Sequence, residues 1–271
     1  MNMLALVTGA SSGIGRAFTR RLAGDGHDVI AVARRAERLE EVAAGFPGGR
    51  VRPFAADLAT GEGVDAVARM CAAEPLDLLV NNAGVAHYMP LAELPEAKAR
   101  EVVGVKVAAP TMLARAAVPG MVTRGGGTIV NVAGMLAFGG PDPAAQMGRA
   151  VYTGALAHLV AMSQTLAAEL AGTGVRVQAL CPGVVATEFH ERQGMDLGGT
   201  PRMSAEDVVT ACLRGLELGE VVCAPGVEDE RLLRAVFDAD LAAFGAQSPR
   251  LATRYVSRPG GPVPGRAGNG S

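Results

Sequence analysis

Short β-branched runs alternate with longer stretches of helical periodicity along most of this 271-residue chain, and that alternation restricts the fold more than any other feature. Candidate strands are Leu4–Thr8, Val29–Ala33, Val51–Ala55, Leu76–Val80, Thr128–Val132, Arg176–Leu180 and Val221–Ala224. Between most of them apolar residues recur at helical spacing, as in Gly15–Gly24, Leu39–Ala44 and Val64–Ala73. Strands apolar on both faces need cover on both faces, and intervening helices supply it. The expected fold is α/β, a parallel sheet between two helical layers. One domain is expected over 1–257, and the Gly/Pro-rich stretch "RPGGPVPGRAGNGS" at 258–271 reads as a mobile tail.

Bulk composition excludes several function classes. Apolar residues make up 49%, enough for a sizeable core, and the net charge of −2 is spread over both signs. Neither a nucleic-acid partner nor a membrane is expected from such a distribution. Cys71, Cys181, Cys212 and Cys223 are widely spaced with no C-x-x-C, so neither a metal site nor disulfides are indicated. The apolar run "MLALV" at the N-terminus has the length of a buried strand and not of a signal peptide. The expected compartment is the cytoplasm.

"LALVTGASSGIGRAF" sets Gly9, Ser11, Ser12, Gly13, Ile14 and Gly15 between the first strand and the first helix. Glycines there permit a tight turn and close backbone approach, and the helix N-terminus offers free N–H groups to an anion. Asp57 ends the third strand, where a carboxylate can accept from an adenine amino group. "NNAG" (Asn81, Asn82, Ala83, Gly84) ends the fourth, and "CPGVVAT", with Pro182, Gly183 and Thr187, follows the sixth. An acidic residue closing the second strand would hold a ribose 2′-hydroxyl, but Ala33 stands there and Arg34 and Arg35 follow. Guanidinium groups suit a 2′-phosphate, so NADP(H) is the cofactor expected if one binds.

T-G-x-x-x-G-x-G at Thr8–Gly15, N-N-A-G at Asn81–Gly84 and P-G-x-x-x-T at Pro182–Thr187 together resemble the short-chain dehydrogenase/reductase superfamily over roughly residues 3–255. The resemblance implies a Rossmann-type doubly wound sheet of about seven strands, a nicotinamide cofactor across the strand ends, and a homodimer or homotetramer. It also implies four catalytic side chains, of which this sequence keeps one. The Tyr matches Tyr152, but the Ser position is Gly134, the Lys position one turn after the Tyr is Leu156, and the Asn position is Lys106. Tyr152 follows Gly134 by several residues more than the family leaves, and the surplus falls in a loop over 139–149.

A Tyr with no neighbouring cation is expected to titrate near about 10 and to stay protonated at neutral pH. Such a phenol can donate a proton but is a poor base for alcohol oxidation. Lys106 shares a helical stripe with Ala99, Val102, Val103, Ala109 and Leu113. It is expected to point inward and supply a cation from the opposite wall, the plainer alternative being that it reaches to the surface. Pro110 lacks the N–H that an α-helix would return to the Lys106 carbonyl. His87 and His190 are candidate general bases bordering the cleft, whereas His158 is expected to face elsewhere. Residues 188–205 read as a substrate lid, and Tyr88, Met89, Met195 and Met203 as apolar pocket lining.

These substitutions favour a non-redox acid/base enzyme first: dehydration, conjugate addition or cyclisation of a hydrophobic carbonyl compound, with no cofactor required. The alternative is an NADPH-dependent carbonyl reductase with rearranged helpers, and the third reading is a cofactor-binding pseudoenzyme.

Overall fold

The computed structural model describes residues 2–140, 148–196 and 199–256. Residues 141–147 of the expected inserted loop, residues 197–198 of the expected lid and the tail 258–271 lie outside the described residues. Contacts divide the chain into two compact units, Met1–Gly226 and Val227–Ser271.

The first unit holds seven strands, β1 (Leu4–Thr8), β2 (Asp28–Ala33), β3 (Val51–Ala55), β4 (Leu78–Asn81), β5 (Gly127–Val132), β6 (Val175–Leu180) and β7 (Val222–Cys223). All pair in parallel, in the order β3-β2-β1-β4-β5-β6-β7. Parallel neighbours need helical crossovers, which are α1 (Gly13–Gly24), α2 (Ala36–Ala44), α3 (Gly61–Ala73), α4 (Glu96–Val103), α5 (Ala109–Thr123) and α6 (Ala150–Glu169). A short α7 (Glu188–Glu191) and α8 (Ala205–Leu218) follow β6. The second unit contains α9 (Arg231–Gly245), on which Leu232, Leu241 and Phe244 are exposed. The α/β doubly wound sheet expected from the sequence is the one observed.

Period-2 alternation sorts each strand between two cores. Ala5, Val7, Val29 and Ala31 face Phe18 and Leu22 of α1, Leu39 of α2, and Val208 and Cys212 of α8. Leu6, Ile30, Leu79 and Ile129 face Val67 of α3 and Leu113 and Met121 of α5. Full burial of a Leu or Phe side chain contributes about 1.5–3 kcal/mol, so these faces fix the register. All four cysteines are free and buried.

Two boundaries differ from the expected ones for identifiable reasons. Leu76 looks like the start of a strand because it is buried, but its N–H bonds the Glu74 carbonyl in a turn, and ladder pairing begins at Leu78. Asn81 is polar and so reads as loop, yet it pairs in register with Asn131 of β5.

A wide π-helical turn over Gly104–Ala108 joins α4 to α5, with the Ala109 N–H reaching the Gly104 carbonyl. Pro110 cannot continue the α-helical ladder at this point, and the wider turn carries the chain across it. The joined run Glu96–Thr123 is 28 residues long with a most apolar window of mean hydropathy 1.3, long and apolar enough by composition to cross a membrane. Here Leu113, Ala117 and Met121 of that run are buried against the sheet and α3.

Candidate active site

A cleft of about 530 Å³ opens at the carboxyl ends of the strands, where β1 and β4 lie side by side and the chain order reverses. In an open parallel sheet this is where ligands bind. One end is built from the β1–α1 turn. Gly9 and Gly13 have φ of +67° and +52°, a region that disfavours side chains. A Cβ on Gly9 would lie 2.7 Å from Asn82 Nδ2, and one on Gly15 would lie 2.3 Å from the Gly9 carbonyl. Gly15 therefore packs the helix onto the turn and does not itself line the cleft. Gly9, Ser11, Ser12, Gly13 and Ile14 do.

Thr8 and Asn82 fasten β1 to β4 across the switch point. Thr8 Oγ1 accepts from the backbone N–H groups of Asn82 (2.9 Å) and Ala83 (3.0 Å), and Asn82 Nδ2 donates to the Thr8 carbonyl at 2.9 Å. Asn81, expected among the cofactor residues, is corrected by this arrangement. Its amide donates to Asn131 Oδ1 at 2.9 Å inside the core, and Asn82, Ala83 and Gly84 line the cleft instead. Asp57 lines it too and caps the next turn by accepting from the Ala59 N–H at 3.0 Å. Pro182, Gly183 and Thr187 complete the rim.

Arg34 and Arg35 both line the cleft. Arg34 reaches Glu101 at 3.4 Å. Arg35 Nη2 donates to Ser11 Oγ (3.1 Å), Ser12 Oγ (3.3 Å) and Glu188 Oε1 (3.2 Å). Arg38 Nη1 holds both Glu188 oxygens, at 2.9 and 3.0 Å, and Arg192 also bonds that carboxylate. Burial pushes the Glu188 carboxyl up, but hydrogen bonds from Arg38, Ser12, Arg35 and Arg192 outweigh it and hold it at about 2. Glu188 and Arg38 were not legible as site residues. Their roles depend on two segments meeting across the cleft, although a carboxylate directly after P-G-x-x-x-T facing "ARRAER" was the available signal.

At the other end stand Tyr152, Leu156 and Lys106. Tyr152 is buried in the first turn of α6, edge-on to Tyr88 (5.7 Å, 82°) and tilted against Phe189 (6.3 Å, 32°). The expectation of a near-ordinary phenol needs correction. Burial, and secondarily the neighbouring Tyr88, raise its pKa far above the usual value. Tyr88 is raised as well, by burial, with Arg149 partly opposing.

Lys106 sits within the π-helical turn, 4% exposed, and Nζ donates to the Val132 carbonyl at 3.0 Å. The inward direction read from its helical stripe is the one observed. Burial lowers its pKa to about 8. Gly84 makes room for it, since a Cβ there would lie 2.7 Å from Lys106 Cε and 2.9 Å from Nζ. Leu156 is 1% exposed and turns an apolar surface to the same space, beside Gly134.

The histidines separate. His87, expected to border the cleft, lies outside its lining with Nε2 on Glu101 at 2.9 Å; the chain turns there and presents Tyr88 instead. His190 lines the cleft, edge-on to Phe189, and its buried Nδ1 has no hydrogen-bond partner among the described residues. Burial, then Arg202, lower its pKa, so it is neutral at neutral pH. His158 contacts Thr111 Oγ1 at 3.3 Å, away from the cleft. Met195 and Tyr88 line the cleft; Met89 and Met203 do not, Met203 being held in a bridge to Val185. Among the described residues no cluster of His, Cys, Asp and Glu could hold a metal ion.

The sequence pattern of the short chain dehydrogenase family matches residues 3–197, and the chain belongs to that family. A short chain dehydrogenase of Pseudocercospora fijiensis is 38% identical over 196 residues, 68% of this chain and 60% of that protein, so the chain spans less than two thirds of that relative. Among solved structures, a short-chain dehydrogenase from Sphingobium yanoikuyae in complex with NADPH superposes with a TM-score of 0.88. It is 31% identical, over 93% of this chain and 100% of the other. The bulky-bulky ketone specific alcohol dehydrogenase from Comamonas testosteroni has a TM-score of 0.84 at 26% identity, over 94% of this chain and 99% of the other.

Proposed function

We propose that the protein is an NADPH-dependent reductase of hydrophobic ketones or aldehydes that works with rearranged helper groups. The observation that carries this reading is a single cleft joining a phosphate-binding turn and Arg35 to a buried, protonated phenol. Relatives named for dehydrogenation, one structure holding NADPH and one specific for bulky ketones favour redox chemistry over the non-redox reaction first expected from the substituted helpers.

The residues present fit the cofactor. Gly9 and Gly13 line the cleft with bare backbone that a pyrophosphate can approach, Asp57 can accept from adenine, and Arg35 with Ser11 and Ser12 suits a 2′-phosphate. When bound, NADPH supplies a hydride to the substrate carbonyl carbon. Tyr152 donates its proton to the carbonyl oxygen, and burial keeps that proton in place at neutral pH. The phenolate left behind needs positive charge in a site of low dielectric. Lys106, protonated below about pH 8, provides it from the π-helical turn. Leu156, Met195 and Phe189 give the substrate end an apolar lining.

The test is loss of the reduced-nicotinamide absorbance when the protein meets NADPH and an aryl ketone, beside Tyr152→Phe. Turnover is expected, with the variant slower by about 10²–10⁴. Saturable NADPH binding without reduction of any carbonyl, unchanged in the variant, would leave a cofactor-binding role. Conversion of a carbonyl compound with no NADPH consumed would restore the non-redox reading.

A further inference from the structure

We infer that Glu188 is a built-in competitor for the 2′-phosphate of the cofactor, and thereby a specificity-determining residue of the cleft. The inference rests on the cofactor reading above and adds the residue that opposes phosphate binding.

Arg35 and Arg38 bring two guanidinium groups, and Ser11 and Ser12 two hydroxyls, to one point on the rim. Planar donor forks beside hydroxyls form a set suited to a phosphate. In this structure an oxyanion of the chain itself holds that place. Glu188 Oε1 is 3.2 Å from Arg35 Nη2 and 2.9 Å from Arg38 Nη1, and its second oxygen is 3.0 Å from the same Arg38 nitrogen. Arg35 Nη2 is the nitrogen that also reaches both serines, so a phosphate bound on Arg35, Ser11 and Ser12 would meet the carboxylate as a like charge.

Glu188 does not belong to that wall. It begins α7, directly after Thr187, and α7 continues into Phe189 and His190 at the substrate end. Arg35 stands at the N-cap position of α2 and Arg38 lies within that helix. The carboxylate therefore bridges two segments, and its side chain keeps 29% of its surface open, so it can swing away without leaving a buried charge unpaired. With Glu188 on the arginines, only the fraction of molecules in which it has withdrawn accepts a 2′-phosphate, and apparent affinity falls by that fraction. A cofactor with a plain 2′-hydroxyl meets no such competition and can donate to the carboxylate.

Glu188 thus narrows the gap between NADPH and NADH. The experiment compares dissociation constants of NADPH, NADH, 2′,5′-ADP and 5′-AMP for the wild type and Glu188→Gln at one ionic strength. The isosteric variant should bind NADPH and 2′,5′-ADP about tenfold more tightly. NADH and 5′-AMP should bind no more tightly than before. Unchanged NADPH affinity in the variant overturns the inference and leaves the cofactor reading intact. Weaker binding of NADPH and NADH alike also overturns it and makes Glu188 a clamp over the cofactor. Absence of NADPH binding to either protein removes the cofactor reading and this inference together.

Discussion

Among the described residues the Lys106 ammonium has one hydrogen-bond partner, the Val132 carbonyl, and burial brings its pKa from the ordinary 10.5 to about 8. An unfolded lysine keeps its proton to the higher value. Between the two the unfolded chain binds more protons, so stability rises as pH climbs from about 8 toward 10.5. Below pH 8 the buried charge costs about 3 kcal/mol. Lys106→Met should raise stability near pH 7 by about 1–2 kcal/mol, the Val132 carbonyl losing its donor and offsetting the rest. The gain should shrink toward pH 10 in urea titrations, while the proposed reductase activity falls most below about pH 8, where Lys106 carries its charge. Gly84→Ala presses on the same group. Its new Cβ displaces the Lys106 terminus, so kcat should drop about tenfold or more with the far-UV circular dichroism unchanged. At this scale the sequence displayed what spacing encodes: Gly9 in its turn, Tyr152 on its helix, Lys106 on its inward stripe. It did not display what burial and cross-cleft contact decide. The raised phenol of Tyr152, the outward turn of His87 and the reach of Glu188 depend on which segments come to lie opposite one another.

Helix α6 is apolar nearly all round, and it carries Tyr152 and Leu156 one turn apart into the cleft. The π-helical turn beside it presents Lys106 from the facing wall. The two elements share one space for one cation. Leu156→Lys alone puts a second ammonium there, desolvated and beside a like charge, and should destabilise the fold by about 2–4 kcal/mol. Adding Lys106→Asn removes the repulsion. The double variant should recover most of the stability and, on the proposed reductase reading, reduce ketones at least as fast as the parent. Thermal melts of the two singles and the double give the coupling; simple additivity would mean that the two positions do not share the site. Elements with a strong period, such as β1, β3 and α3, could be placed from sequence to within a few residues. The π turn could not, because Pro110 announces an interrupted ladder without saying whether the chain will kink, break or widen.

Across the whole molecule the strand order is what makes a cleft, since β4 crosses over to lie beside β1 and leaves their carboxyl ends open between diverging helices. Alternating periods predict a parallel sheet but not its order, and the resemblance added a doubly wound sheet of about seven strands. The opening is lined by the turns after β1 and β4, the end of β2 and the segment after β6, so a ligand seated there ties these parts of the sheet-bearing unit together. At about 100 times its dissociation constant NADPH should therefore stabilise the native state by about 2.7 kcal/mol. With roughly 2–4 °C per kcal/mol for a domain of this size, the thermal midpoint should rise by roughly 5–10 °C. NADH at the same concentration should give a smaller shift, because it leaves the guanidinium of Arg35 without a phosphate. In Arg35→Ala the two cofactors should give the same small shift, as that side chain is the one joined to both serines of the turn. Scanning calorimetry of the two proteins with each cofactor reads all four midpoints. A preference for NADPH that survives Arg35→Ala would assign phosphate recognition to Arg34 or Arg38 instead.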